Sequence, residues 1–569
     1  MVYAPGAFSG MVPIRAFFVT LGHLAHYDGG RAGQRTQEPG VDAGTVRMVV
    51  RCSRVFWGQD FRRLKADMNT SSFFKHWSIR ENPFMAEEAR QDDVFARLQD
   101  AAAHPDFPKL LGDPSRPASA VVFGEKGSGK TAIRFQLEEA IENYNAANPH
   151  AKSLVVGYDD LNPVLDRFAR RVRGKTTLET LQQIRLVDHF DGLLSMVVPD
   201  LVEALLRRNP ENRMDLGPQR KALCKQLDPE TKNDWVILQA LFDRPDRAVE
   251  NGRRVRRAVR FRKWSWVRPF RWLAVLLAAI FVCGLGVFYL LNPQDDRLFW
   301  LLGLTLSGIF ALGAGGKVFL DWYENNRLAR KLSRELRTLD RSAASLRASL
   351  DRLPTNVVAS TAWPVDGLDE PRYAMLDRLR RAVSPFGFRN LIVLIDRLDE
   401  PTLINGEIDR MKAVIWPVFN NKFLQQAHVA FKMMLPLELR HVLRRESSDF
   451  FQEARLDKQN LIERLSWSGA TLFDLCNARI NACLESGAER ISLRDIFDES
   501  VSRQDLVDAL DQMKQPRDAF KLLYQVIQDH CNSSTEEEEN WRIPKLILDQ
   551  ARRLQAERVE ELHRGLRPA

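Results

Sequence analysis

What the chain lacks narrows it first. Its six cysteines, at 52, 224, 283, 476, 483 and 531, form no C-x-x-C pair. Neither a zinc ribbon nor a disulfide framework is indicated, and a reducing compartment fits. Residues 1–30 have no basic stretch followed by a long apolar one, so no secretory leader is read there. No L-S-G-G-Q-type signature stands ahead of Asp396, which argues against a transporter ATPase. The chain is not poor in apolar residues: 45% are hydrophobic and 28% charged. A disordered chain and a polytopic membrane protein are thereby excluded, but one or two membrane spans are not. At 569 residues it has room for roughly three to four domains.

A general excess of positive charge is also missing, although the net charge is +9. Between Arg253 and Arg271 lie nine Lys and Arg and no acid. Without that run, 74 basic residues face 74 acidic ones. A nucleic-acid binder with basic charge throughout would look different. The residues after the run explain it. Residues 272–291 and 298–316 are uncharged stretches of about twenty residues, the length needed for a hydrocarbon core of ~30 Å. Trp264, Trp266, Trp272, Tyr289, Trp300, Trp322 and Tyr323 cluster near their ends, as in an aromatic belt. Both outer flanks are basic, the second through Lys317, Arg327, Arg330 and Lys331. The positive-inside rule therefore predicts a two-span membrane hairpin, with both flanks cytosolic and the basic run on anionic headgroups. The alternative is a buried helical hairpin in a soluble core.

The sharpest motif begins after the apolar run 118–123. It reads Gly124, Glu125, Lys126, Gly127, Ser128, Gly129, Lys130, Thr131, followed by a helical pattern. This is G-x-x-x-x-G-K-T in its required strand–loop–helix context, a Walker A loop. Glycines let backbone N–H groups approach phosphate oxygens, and the helix start adds positive potential. Lys130 is expected to reach the β- and γ-phosphates of ATP, and the Thr131 hydroxyl to ligate Mg²⁺. The matching Walker B strand is LIVLID at 391–396, whose Asp396 would hold the metal opposite Thr131. Asp399 or Glu400 would orient the attacking water, and the sequence does not choose between them. Lys130 and Asp396 are 266 positions apart, so a large insertion containing the hairpin splits the domain. Both halves of one ATP site must share one side of the bilayer, which requires an even number of crossings.

On these residues the chain resembles the KAP family of P-loop NTPases, within the STAND class. Bacterial members of that family often carry transmembrane helices inserted in the NTPase domain. The resemblance runs from about residue 75 to the end of the chain. The typical KAP second motif is D-D-x-D-R; here Asp396-Arg397-Leu398-Asp399-Glu400 is closer to the D-G-x-D-E of NACHT-like STAND proteins. The resemblance implies a nucleotide-dependent role in signalling, assembly or phage exclusion. A non-hydrolysing nucleotide-binding membrane scaffold is the alternative.

The expected fold is an α/β P-loop sheet flanked by helices, interrupted by a helical insertion with two transmembrane helices, with a helical C-terminal region. Residues 75–177 and 365–470 form the two halves of the NTPase domain. The insertion divides into cytosolic helices at 178–271, the hairpin at 272–316 and a coiled-coil-like helix at 317–354; helices continue at 471–569. Residues 1–67 are Gly-rich and aperiodic, and Met68 is read as the natural start, with 1–67 either an over-extended reading frame or a disordered arm.

Several further residues carry two readings each. Asn82-Pro83-Phe84 resembles the lead-in of ATPases near the nucleotide base, or simply starts a helix. Asp159 and Asp160 approach the metal, or Asp160 or Asn162 caps a helix. Lys432 is the one ionisable sensor candidate in the strand 428–436. Arg440, Arg444, Arg445 and Arg455 are arginine-finger candidates or solvated helix charges. Gln515-Pro516-Arg517-Asp518 resembles the sensor-2 position of AAA+ and STAND ATPases, where Arg517 would face the phosphates. His189 has no partner at metal spacing. Ala329, Leu332, Leu336, Leu339, Ala343, Leu346, Leu350 and Leu353 alternate at spacings of three and four. This seam predicts either a coiled coil joining subunits of a homo-oligomer or an internal surface packed on residues 240–265.

Overall fold

The computed structural model describes residues 69–85, 89–98, 104–206, 214–261, 267–291, 297–456, 459–534 and 540–563. The expected extension at 1–67 with its Met68 start, part of the basic run, the connector 292–296 and the four successive glutamates at 536–539 lie outside these residues.

Five parallel strands form one sheet in the order β2-β3-β4-β1-β5. They are β1 Ala120–Gly124, β2 Lys152–Tyr158, β3 Phe388–Ile395, β4 Val429–Pro436 and β5 Asn460–Ile462. The central strands are near-continuous apolar runs because helices cover both faces. Alternation then sorts their side chains. Val121, Phe123, Leu391, Val393 and Phe431 join the larger core, and Ala120, Val122, Ile392, Leu394 and Met434 join the other. Helix α1, Lys130–Ala147, covers the second face with Ile133, Leu137 and Ile141.

The larger face is covered by the insertion. Helix α2, Leu186–Leu206, is apolar almost all round and buried accordingly. Helix α3, Pro229–Phe242, starts at Asp228, whose side chain accepts from the Thr231 amide, with Pro229 in its first turn. Helix α4, Ala248–Ala258, precedes the hairpin of α5, Val267–Leu291, and α6, Arg297–Glu335. The two hairpin helices touch closely at Gly308, where an added Cβ would lie 3.0 Å from the Phe281 ring. No helix among the described residues is long and apolar enough to cross a membrane. Both hairpin helices nevertheless present Val275, Val282, Leu302, Leu306, Ile309 and Leu312 outward, all more than half exposed.

The seam expected from Ala329 to Leu353 is not one uninterrupted helix. Helix α6 ends at Glu335, the chain turns, and α7 resumes at Ala343–Leu350 after a Ser342 cap. Ala329, Leu332, Leu336, Leu339, Leu346, Leu350 and Leu353 are buried in the same core as the sheet, and Ala343 is half-buried. The turn is pinned by Arg341, which donates to the Ala240 carbonyl at 2.5 Å and to Ser349 Oγ at 2.9 Å. Arg352 donates to the Val249 carbonyl at 2.8 Å. The heptad-like spacing thus serves packing on α3 and α4 within the chain. Helix α8, Glu370–Val383, returns to the sheet and is tied to α3 by Arg378 and Arg381 on Asp234, at 2.5 and 2.8 Å.

The C-terminal helices α9 Gly469–Ala482, α10 Arg503–Met513, α11 Pro516–Ser533 and α12 Lys545–His563 surround a separate core. The lead-in segment belongs to this core, not to the sheet: Phe73, Phe84 and Val94 are part of it. The buried Arg479 holds that segment, donating to the Pro83 carbonyl at 2.7 Å and to Asp92 at 2.6 Å. Asn82-Pro83-Phe84 is therefore an anchor to the C-terminal helices.

Candidate functional site

The loop between β1 and α1 carries Gly124 to Lys130. Gly127 and Gly129 have φ of 94° and 90°, left-handed values that cost other residues energy. Ser128 closes the turn by donating through Oγ to the Glu125 carbonyl at 2.8 Å. Among the described residues no side chain caps α1 and no acid lies in its first turn, so no side chain offsets the positive potential of the helix start there. Lys130 Nζ donates to the carbonyls of Gly124 and Glu125, both at 2.8 Å. Burial pulls the Lys130 ammonium below the ordinary lysine range, opposed by the charges of Asp399, Asp396, Glu438 and Glu125.

Asp396 comes directly after β3. With β4 interposed between β1 and β3, the ends of all three strands converge beside the loop. Thr131 Oγ1 donates to Asp396 Oδ2 at 2.9 Å, joining residues from the two halves of the chain. Asp396 is buried. Burial raises its pKa above the usual carboxylate range, against the Thr131 hydrogen bond and the charges of Arg134 and Lys130. A hydroxyl on a buried carboxylate, next to a lysine bonded to loop carbonyls, suits a divalent cation and phosphate oxygens. Among the described residues no group of three or more His, Cys, Asp and Glu could hold a metal by itself. A cation here would complete its shell from phosphate and water, as Mg²⁺ does.

The remaining acids separate. Glu400 is turned onto Arg397, itself left-handed at φ 61°. Asp399 instead heads the charges acting on Lys130, and its carbonyl accepts from the Gly406 amide at 2.9 Å. Asp159 ends β2 and is held by Arg90 at 2.7 Å and by the buried Arg134. Burial opposes its ionisation, but Arg134 and Arg90 outweigh that and hold its pKa down. Asp160 accepts from the Asn162 amide at 3.2 Å, but the following helix begins at Asn162 with Leu161 at its N-cap and no side-chain cap bond, so neither Asp160 nor Asn162 caps it.

Two sensor readings part company. Lys432 lies early in β4, opposite Ala120 rather than at the strand end beside the loop. Its ammonium donates to the carbonyls of Leu110 and Ala118, at 2.5 and 2.8 Å, and burial lowers its pKa to about 8. It is a structural lysine, because the register sets it opposite the first residue of β1, four residues before the end that meets the loop. Arg517 does meet the loop. Its amide donates to the Gly127 carbonyl at 3.4 Å, and a Cβ on Gly127 would lie 3.0 Å from its Cβ. Arg440 and Arg444 both bind Glu463, at 2.5 and 2.6 Å. His189 is buried between Tyr158 Oη at 3.2 Å and the Val414 carbonyl at 2.8 Å, and burial lowers its pKa.

Sequence reasoning missed three residues here. Glu438 lies in the first turn of the helix after β4, and the β1–β4 register places Gly124 opposite Pro436, two residues before it. Trp467 Nε1 donates to the Ser128 carbonyl at 2.9 Å, and its ring meets His104 edge-on at 4.8 Å. Arg464 donates to Glu125 Oε1 at 2.6 Å. Only Glu438 had a local signal, as the first acid after an apolar strand. The four cysteines 224, 476, 483 and 531 are buried and free, and Cys283 is exposed and free. Compared with known proteins, the chain matches no protein family, no curated protein and no solved structure.

Proposed function

We propose that this chain is a membrane-anchored P-loop NTPase that binds and hydrolyses ATP with Mg²⁺ and uses its nucleotide state as a switch in signalling, assembly or phage defence, as the resemblance to KAP NTPases implies. The observation that carries the reading is the hydrogen bond from Thr131 to Asp396 across the inserted segment. Two groups that chemistry requires on one cation meet although the insertion divides them. The glycine loop and the uncapped start of α1 would receive the phosphates, with Lys130 released from the loop carbonyls onto them. Mg²⁺ held at Thr131 and Asp396 would neutralise charge on the β- and γ-phosphates. Asp399 is better placed than Glu400 to orient water, since Glu400 is engaged by Arg397. Arg517 would sense the phosphates from the C-terminal helices.

The membrane part of the proposal rests on the outward apolar side chains of α5 and α6. A contiguous apolar surface of this kind on a soluble protein is an aggregation liability, and lipid would cover it. The basic residues before α5 would meet anionic headgroups. The alternative, a non-hydrolysing scaffold, draws on the engagement of Glu400 by Arg397.

The test is ATP turnover by the purified chain in lipid bilayers. Lys130→Ala should abolish turnover, and Asp396→Asn should lower it by about 10²–10³. Unchanged turnover in both variants would refute the site. Binding without turnover in the unaltered chain would favour the scaffold. Reporter fusions after residues 250 and 330 should be cytosolic, and one at 294 exterior.

A further inference from the structure

Glu125 is an odd residue to find in a phosphate loop. Its backbone carbonyl receives Lys130, and its carboxylate puts a negative charge in the loop that would receive anionic phosphates. An uncompensated carboxylate there would repel the ligand. The chain compensates from the C-terminal side. Arg464, just after β5, donates to Glu125 Oε1 at 2.6 Å. The buried Gln515, on the N-cap of α11, donates through its amide to Oε2 of the same carboxylate. Both carboxylate oxygens are thus engaged by groups outside the loop. Gln515 is two residues from Arg517, whose side chain lies against Gly127. Trp467 adds a third tie, its indole N–H on the Ser128 carbonyl.

We infer that Glu125, Arg464 and Gln515 form a latch that turns the loop's own carboxylate away from the phosphate path and thereby sets α11, with Arg517, over the loop. Arg464 and Gln515 are positioning residues: they act on the nucleotide through Glu125. The inference rests on the proposed nucleotide site and adds how the C-terminal helices are coupled to it. Loss of Arg464 takes its cation from the carboxylate and adds negative potential at the phosphates. Loss of the charge on Glu125 removes the need for Arg464.

The experiment is an equilibrium titration of Mg·ATP into the full chain in lipid. It uses the unaltered protein, Arg464→Ala, Glu125→Gln and the double variant, each at low and high salt. Arg464 is about half exposed, so its removal leaves the cores intact. Arg464→Ala should weaken binding about fivefold, the size expected of one partly exposed ion pair. Glu125→Gln in that background should restore the affinity, and the deficit should shrink as salt rises. A merely structural Arg464 would give a deficit that Glu125→Gln leaves in place. An unaltered affinity in Arg464→Ala, or no restoration in the double variant, overturns the latch while leaving the site. No Mg·ATP binding by the unaltered chain overturns the site itself, and the latch with it.

Discussion

Helix α6 has two ends in different worlds. Around its first half Leu306 and Leu312 are 74% and 77% exposed, while Ala329 and Leu332 further along are fully buried in the sheet's core. Both regions are written in the same apolar letters. What separates them is what stands opposite: among the described residues, α5 beside the first, and α7 and the core it shares with the sheet around the second. The buried part also recruits polar groups. Arg337 binds Asp188 of α2 in an almost buried pair, and Arg341 binds the end of α3 and the α7 serines. Apolar pattern alone therefore does not say whether lipid or protein will cover a helix.

The contrast can be broken by substitution. Arg341→Ala should have the largest effect, about 4 kcal/mol of stability. It leaves the Ala240 carbonyl and two serine hydroxyls without their donor in a dry core. A denaturant midpoint in detergent, read by circular dichroism, would show it. Leu332→Ala should cost about 3 kcal/mol by the same measurement, since it opens a cavity in the buried end of the helix. A cost near zero would mean that this end of α6 is not buried in the core it shares with the sheet.

A second kind of effect, comparable in total size, comes from pH. Asp191 of α2 is fully buried, and burial lifts its pKa to about 7, opposed by Arg372 and reinforced by Asp188, with Arg185 also near. The folded carboxyl keeps its proton to about pH 7, whereas the unfolded one releases it near 4. Its contribution is thus complete below about pH 4 and is lost as pH rises towards 7. Stability should fall by up to about 1.4 kcal/mol per pH unit across that window, and Asp191→Asn should flatten the slope. An unchanged slope would assign the pH dependence elsewhere. The smallest effect is expected near the hairpin's tip: Leu306→Ala should change stability by less than about 0.5 kcal/mol, because its side chain faces outward. Its consequence should appear instead as weaker recovery in membrane fractions.

The parts legible in the sequence were those whose physics is local. A strand, a glycine loop and a helix start declare themselves within one short stretch, and so does an apolar strand ending in Asp396. The β4 strand was also visible, but not that it lies between β1 and β3, which is what carries Glu438 to the loop and leaves Lys432 away from it. Arg464 and Trp467 reach Glu125 and Ser128 across more than three hundred residues, and no spacing encodes such a contact. The Ala329 to Leu353 seam was legible as burial but not as to partner, because a heptad-like stripe buries equally well against a second copy or against α3 and α4. Its break at residues 336–342 had no Gly or Pro to announce it.

The central claim is that Thr131 and Asp396 share one cation on a nucleotide held by the phosphate loop. The most direct measurement is an equilibrium titration of ATP into the purified chain with and without Mg²⁺, beside the Asp396→Asn variant. The account predicts one site in the unaltered chain, tightened by Mg²⁺. In Asp396→Asn it predicts that ATP still binds but that Mg²⁺ no longer tightens it. Absence of ATP binding, or the same Mg²⁺ dependence in both proteins, would contradict it.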